Sequence, residues 1–402
     1  EEVVMLFGTE TPGAFQGSRL PHPSPGPPLF LVMKRGAFRT ARLARHWYRP
    51  DDSVRQEEIV LQSSRGIFET TRYRRREGDG GPTWVLLHGI TRPGRRHAVL
   101  TRFAQALAGT GATVLVPEIP EWTALELVPE PAGEAVLAAL ETLAADPGRG
   151  ASSDTVLGSP DSVGLIGFSF AAPQAIRLAT DPEVGPRLAC VAGFGGYGTL
   201  QRAVAFLWSG RHEWDGRSYS TRPDPYGRWV VGGNFLTLVP GYEDAGDVAG
   251  ALTDLAALAG DRQIPSWDPV LDELKDRLEA RLPRGRRELF RQFAPPAEAD
   301  PPGDLEGWGT RLAEAGVAAR PLLELPPIVR STAPVVLIHG RGDALVPFSE
   351  TLRLAERVRA PSLEVAVTGL FEHSAEARTR GSGWFRELRR LGGTLASLLG
   401  SV

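Results

Sequence analysis

The 402-residue chain holds one cysteine, Cys190, which excludes an internal disulfide framework and any zinc or iron–sulfur site assembled from several cysteines. Lysine is confined to Lys34 and Lys275, so arginine carries nearly all the positive charge; with abundant Gly, Ala and Pro, this reads as coding bias before function. Neither sign of charge is in large surplus. Lys+Arg total 45 against 48 Asp+Glu, a formal net charge of -3, and without a global basic field nucleic acid is set aside as a partner. Long apolar runs are missing as well: a membrane span needs roughly 18 to 20 uninterrupted apolar residues, and the Ala/Leu-rich stretch 248–259 is broken by Asp254. The sequence has no H-E-x-x-H, no G-x-x-x-x-G-K-[ST] and no strand-linked G-x-G-x-x-G with a suitably placed acid. No metal and no cofactor is therefore expected. A reducing, cytoplasmic compartment fits the single cysteine, while a chain beginning with Glu leaves a removed signal peptide, secretion or peripheral membrane attachment open.

What is present is 42% hydrophobic residues, enough to bury a large core without disulfides or metals. Residues 1–56 read as an N-terminal extension. It contains the Pro-rich run 21–28, which cannot supply the hydrogen bonds of a helix or central strand. A basic segment follows, with Lys34, Arg35, Arg39, Arg42, Arg45 and Arg49 and no acid over 31–50. Two readings stand for it: a weak membrane-surface contact through 34–49, or a helix packed on the domain with a solvated arginine face.

From residue 57 short apolar strands begin to alternate with helices. Strand-like runs fall at 57–63, 67–74, 83–87, 112–117, 162–167 and 188–194, and helical periodicity at 95–108, 134–145 and 171–180. Such alternation predicts an α/β fold with a mostly parallel sheet covered on both faces by helices. Over 198–330 the alternation stops, and Leu271, Leu274, Leu278 and Leu282 repeat at helical spacing, so this stretch is expected to be an inserted helical cap. The strand pattern resumes at 334–338 and 362–367, with helices at 349–358 and 383–399. Residues 57–197 and 331–402 are thus read as one core. Cys190 lies inside one of its apolar runs and is expected to be inert packing.

The most informative stretch runs from Val163 to Pro173, where an apolar strand meets Gly167-Phe168-Ser169-Phe170-Ala171 and then a helix. This is the layout of a nucleophile elbow, a sharp strand-to-helix turn that tolerates only small residues two places either side of the serine. Gly167 meets that demand, and Ala171 departs from the usual second glycine by one methyl. A serine hydroxyl needs a base to take its proton, and the chain has seven histidines. His373 follows the last predicted strand, where a loop at the C-terminal edge of a parallel sheet reaches ligands; His88 and His339 each end a strand before a glycine and read as structural. Asp343 lies in the Gly-rich turn after the strand at 334–338, placed to orient the base. The order Ser169, Asp343, His373 is the one found in α/β-hydrolases.

On these residues the chain resembles the α/β-hydrolase superfamily, esterase and lipase-like, over about 57–402. The resemblance implies that Leu87-His88-Gly89-Ile90 is the oxyanion loop and that the backbone N–H groups of Ile90 and Phe170 hold the oxyanion, with His88 bracing the loop. It also implies a serine hydrolase acting on a small-molecule carboxylic ester through an acyl-enzyme. Serine at the elbow speaks against the haloalkane dehalogenase and epoxide hydrolase routes, which use Asp, and against dienelactone-type hydrolysis with Cys. Thioesters, amides and acyl transfer share the same machinery, and a non-catalytic membrane-associated protein of the same fold is the alternative of a different class. Trp208, Trp214 and Trp229 in the insertion, and Phe168 beside the serine, are candidates to line an acyl pocket; the same residues serve equally as core.

Overall fold

In the computed structural model, residues 29–64, 66–76, 81–145, 163–299, 307–369 and 384–402 are described. The Pro-rich run 21–28, with His22, and the loop residue His373 lie outside them. Eight strands make the central sheet: β1 (Val54–Ser63), β2 (Gly66–Arg75), β3 (Thr83–Leu87), β4 (Thr113–Pro117), β5 (Val163–Phe168), β6 (Leu188–Phe194), β7 (Val335–Gly340) and β8 (Leu363–Thr368). Their order in space is β1-β2-β4-β3-β5-β6-β7-β8. The first two contacts, β1 with β2 and β2 with β4, are antiparallel; the other five are parallel. The α/β class and mostly parallel sheet expected from the sequence are what is found, with the first strand beginning at Val54.

Helices α1 (Leu29–Tyr48), α2 (Ala98–Gly109), α3 (Pro131–Ala144) and α4 (Ala171–Leu178) precede the insertion. α5 (Leu200–Ser209), α6 (Pro225–Phe235), α7 (Gly246–Arg262), α8 (Asp272–Arg281), α9 (Arg284–Phe293) and α10 (Trp308–Ala319) fill it, and α11 (Phe348–Arg357) and α12 (Trp384–Gly400) follow. The period-2 alternation of the strands sorts their side chains into two cores. Val85, Leu87, Leu115, Leu165, Val191 and Leu337 join α3 and α4 on one face. Trp84, Leu86, Val114, Ile166, Ala192 and Ile338 join α2 and the end of α12 on the other. Cys190 belongs to the second core, fully buried, and burial pushes its thiol pKa well above the ordinary value. It stays a thiol and is unreactive.

The basic segment forms α1 and packs on α12 and α2. Leu43 is buried, the Arg39 guanidinium donates to the Leu399 and Val402 carbonyls (2.7 and 2.5 Å), and Arg42 donates to the Gly109 carbonyl (2.7 Å). Among the described residues no helix is long and apolar enough to cross a membrane. In the insertion, Leu271, Leu274, Leu278 and Leu282 are all buried. A short antiparallel hairpin, Arg211–Trp214 with Arg217–Ser220, interrupts the helices and was not expected, because its two strands are brief and largely polar.

Candidate active site

Ser169 stands between the last residue of β5 and the start of α4, with φ of 54°, in the left-handed region that a non-glycine residue adopts at a cost on the order of 1 to 3 kcal/mol. Two backbone bonds pin it there: its N–H donates to the Phe194 carbonyl (2.7 Å), and its own carbonyl accepts from Ala172 N–H (2.9 Å). The turn is so tight that a Cβ on Gly167 would lie 2.2 Å from the Ala171 carbonyl oxygen and 2.9 Å from Ala172 Cα. These are backbone atoms with nowhere to go, so only glycine fits. Ala171 is fully buried at the helix start, so its methyl is accommodated. The serine side chain itself is only half buried.

Facing it is the loop that leaves β3. A Cβ built on Gly89 would be 3.2 Å from Ser169 Cβ and 3.8 Å from its Oγ, so the backbone of this loop lies directly against the serine. His88, fully buried, fixes the loop. Its Nε2 accepts the Ile119 N–H (3.1 Å), which places the ring proton on Nδ1 and makes that atom the donor to the Gly89 carbonyl (2.8 Å). Burial lowers its pKa to about 4, so the ring stays neutral. The His88 ring meets Trp122 edge to face (5.5 Å), and Trp122 meets Phe170 the same way (5.5 Å). One aromatic chain therefore ties the Gly89-Ile90 segment to the residue after the serine. Trp122 lies on the single helical turn Pro120–Thr123, and no motif in the sequence marks it.

Asp343 is buried in the turn after β7. Its Oδ1 accepts the N–H groups of Leu345 (2.8 Å) and Val346 (3.0 Å), and its Oδ2 lies 3.3 Å from His339 Nε2. That nitrogen also sits 2.9 Å from the Val346 carbonyl, which can only accept, so it carries a proton; Nδ1 lies 2.6 Å from Thr351 Oγ1. His339 thus braces the aspartate from within β7, in the structural role expected of it. β7 and β8 end side by side, Gly340 opposite Thr368, so the turn that carries Asp343 leaves the sheet beside the end of the last strand. Another histidine, His212, is locked in packing, with Nδ1 3.0 Å from Ser349 Oγ and its ring stacked on Tyr219 (5.2 Å).

Among the described residues, α6 and α7 of the insertion are bonded to this edge. The Asp224 N–H, at the start of α6, donates to the Ala344 carbonyl in the aspartate turn (2.8 Å). Asn234, at the other end of α6, donates to the Leu125 carbonyl (2.8 Å) and accepts from the Leu127 N–H (2.9 Å). Arg92, two residues past Ile90, pairs with Asp261 of α7 (2.8 Å) and donates to the Thr123 carbonyl (2.9 Å). Tyr226 in the first turn of α6 has its hydroxyl enclosed with no hydrogen-bond partner among the described residues, and burial raises its pKa. Sequence reading did not single it out.

The four aromatic pocket candidates have these surroundings. Trp208 and Trp229 are fully buried within the insertion's own packing, Trp208 edge-on to Phe293 (5.5 Å) and Trp229 beneath Lys275 Nζ (5.8 Å). Trp214 lies in the hairpin, under the Arg353 guanidinium (5.8 Å). Phe168 packs on Phe103 (5.4 Å) and Phe194 (5.1 Å), on the α2 side of the sheet. Core packing accounts for Trp208, Trp229 and Phe168, and no lining role is assigned to any of the four.

An eight-stranded, mostly parallel sheet whose fifth strand delivers a left-handed serine into a helix is the α/β-hydrolase fold, and this chain has it. No protein-family model and no curated protein sequence matches the chain. Similar solved structures include lipase A of Candida antarctica in its closed state, with 12% identity, 85% of this chain and 78% of that one covered, and a TM-score of 0.43. Another is 2-hydroxy-6-oxo-6-phenylhexa-2,4-dienoate hydrolase of Rhodococcus sp. strain RHA1, with 16% identity, 84% and 99% coverage and a TM-score of 0.39. A third is brefeldin A esterase, a bacterial homologue of human hormone-sensitive lipase, with 16% identity, 92% and 86% coverage and a TM-score of 0.40.

Proposed function

We propose that the protein is a serine hydrolase that cleaves a small-molecule carboxylic ester through an acyl-enzyme. The observation that carries this reading is Ser169 held in left-handed backbone at the β5–α4 turn, with the Gly89 backbone against its side chain. In the proposed reaction Ser169 Oγ attacks the ester carbonyl carbon while His373 takes the hydroxyl proton. The oxyanion is held by the N–H groups of Ile90 and Phe170, donors of a kind worth about 3 kcal/mol each. As the C–O bond breaks, His373 returns the proton to the departing alcohol. Water then attacks the acyl-enzyme by the same route in reverse, releasing the acid and freeing Ser169. Asp343 orients His373 and stabilises its charged form. The buried carboxylate, held at Oδ1 by two backbone N–H groups, supports that role. Thioesters, amides and a second alcohol as acceptor would use the same groups.

The test is steady-state kinetics on p-nitrophenyl esters of increasing acyl length. Ser169→Ala and His373→Ala are expected to remove turnover, and Asp343→Asn to slow it by on the order of 10⁴. In the unmodified chain activity is expected to rise with loss of one proton between about pH 6 and 8, because an ordinary histidine titrates near 6.5 and must be neutral to act as base. Near-normal turnover in His373→Ala or Asp343→Asn would overturn the assignment.

A further inference from the structure

We propose that the outward face of α1 is a docking surface for an anionic lipid bilayer. The helix gives its inner side to the protein: Leu43 is buried, Arg39 is committed to the carboxyl-terminal carbonyls and Arg42 to Gly109. What remains outside is unusual in content. Phe38 is 64% and Tyr48 78% exposed, and they share the open side with Ala37, Ala41 and Ala44 and with the exposed cations Arg35, Arg45 and Arg49. At 100° per residue, Ala44, Ala37, Tyr48, Ala41, Arg45 and Phe38 fall in sequence around one continuous arc of the helix, and Arg49, one residue past its end, is held there by its N–H bond to the Arg45 carbonyl (2.8 Å).

The same face opens into a groove of about 600 Å³ lined by Phe38, Arg42, Arg45, His46, Arg49 and Arg75, with Asp51 and Asp52 as its acids. Asp51 is already engaged by the Ser53 N–H and hydroxyl (3.0 and 2.6 Å) and lies within 3.7 Å of Arg75 and 3.8 Å of His46. Arg42, Arg45, Arg49 and Arg75 therefore outnumber Asp51 and Asp52 on a surface that also presents the Phe38 and Tyr48 rings and the methyl groups of Ala37, Ala41 and Ala44. Exposed aromatic rings interleaved with arginine suit the bilayer interface, where rings enter the headgroup layer and guanidinium groups meet lipid phosphates.

The geometry also says what docking would leave alone. Arg42 is bonded to Gly109, the last residue of α2, just before β4 begins, and Arg39 to the end of α12. Both helices run back from the sheet edge that carries Ser169, and α1 lies along their outside, with Arg39 and Arg42 bonded at their far ends and the Trp47 carbonyl accepting from Arg102 early in α2 (2.8 Å). A bilayer would thus be met from the outside of α2 and α12, whereas the elbow leads into α4 on the other face of the sheet.

Co-sedimentation with phosphatidylcholine vesicles, with and without phosphatidylglycerol, tests this independently of the proposed hydrolysis. The intact protein is expected to bind only the phosphatidylglycerol vesicles, and less at high salt. A cation near an anionic surface contributes roughly a fivefold factor in binding, so Arg45→Glu with Arg49→Glu is expected to weaken it by about 25-fold or more. Phe38→Ser with Tyr48→Ser is expected to weaken it at every salt concentration. Because all four side chains are exposed, thermal unfolding midpoints should not move, which separates lost docking from lost folding. No binding to either vesicle, equal binding to both, variants that bind like the parent, or binding to heparin without binding to vesicles would each overturn the proposal.

Discussion

His88 has both ring nitrogens committed, one to a donor and one to an acceptor, and it can keep that arrangement only while neutral. Its pKa falls from the ordinary 6.5 to about 4 on burial. Between those values the unfolded chain binds a proton that the folded chain does not, so this group's contribution is complete above about pH 6.5 and is lost as pH falls toward 4. The loss amounts to on the order of 3 kcal/mol. Urea unfolding at pH 7.5 and at the acid end of this window, for the parent and for His88→Gln, checks it. The parent should lose more stability between the two pH values than the variant does, by an amount of that order. Equal losses in both would mean that the ring is not held neutral. At this scale Ser169, Gly167 and Asp343 were legible because strand, turn and helix signals surround them in the sequence. Trp122 was not, since its importance lies in two ring contacts made across the fold. Trp208 and Trp229 show the converse: aromatic residues in an insertion signal burial, and only packing tells a core from a pocket wall.

Among the elements, α6 bridges the aspartate turn and the segment after β4, and its grip on the latter is Asn234. Leu125, which Asn234 holds by its carbonyl, has φ of 68° and is strained for a residue with a branched side chain. Asn234→Ala would leave the Leu127 N–H and the Leu125 carbonyl without this partner, a cost of roughly 1 to 3 kcal/mol. Urea denaturation should show a loss in that range, whereas a change under about 0.5 kcal/mol, the scale of an indifferent surface substitution, would mean that the contact carries no load. The period-2 and 3.6-residue patterns made the sheet and most helices readable, including the buried row Leu271, Leu274, Leu278 and Leu282. The hairpin at 211–220 escaped because strands of four mostly polar residues have no apolar alternation to read. α1 was readable as a basic helix, but which of its arginines are spent inward, Arg39 and Arg42, depends on where α2 and α12 end.

Across the whole molecule, two cores fix the sheet, the sheet fixes the elbow, and the insertion is bonded to the edge where Ser169 and Asp343 stand. In a near-neutral chain, the arginines of α1 form a local excess along the outside of α2 and α12, apart from the elbow between β5 and α4. That Ser169 is the nucleophile is checked by covalent labelling with a fluorophosphonate, the modified peptide being located by mass spectrometry. One adduct per chain is expected, on the peptide carrying Ser169, absent in Ser169→Ala and strongly slowed in Asp343→Asn. Labelling of the folded protein that persists in Ser169→Ala, or an adduct mapped to another residue, would contradict it.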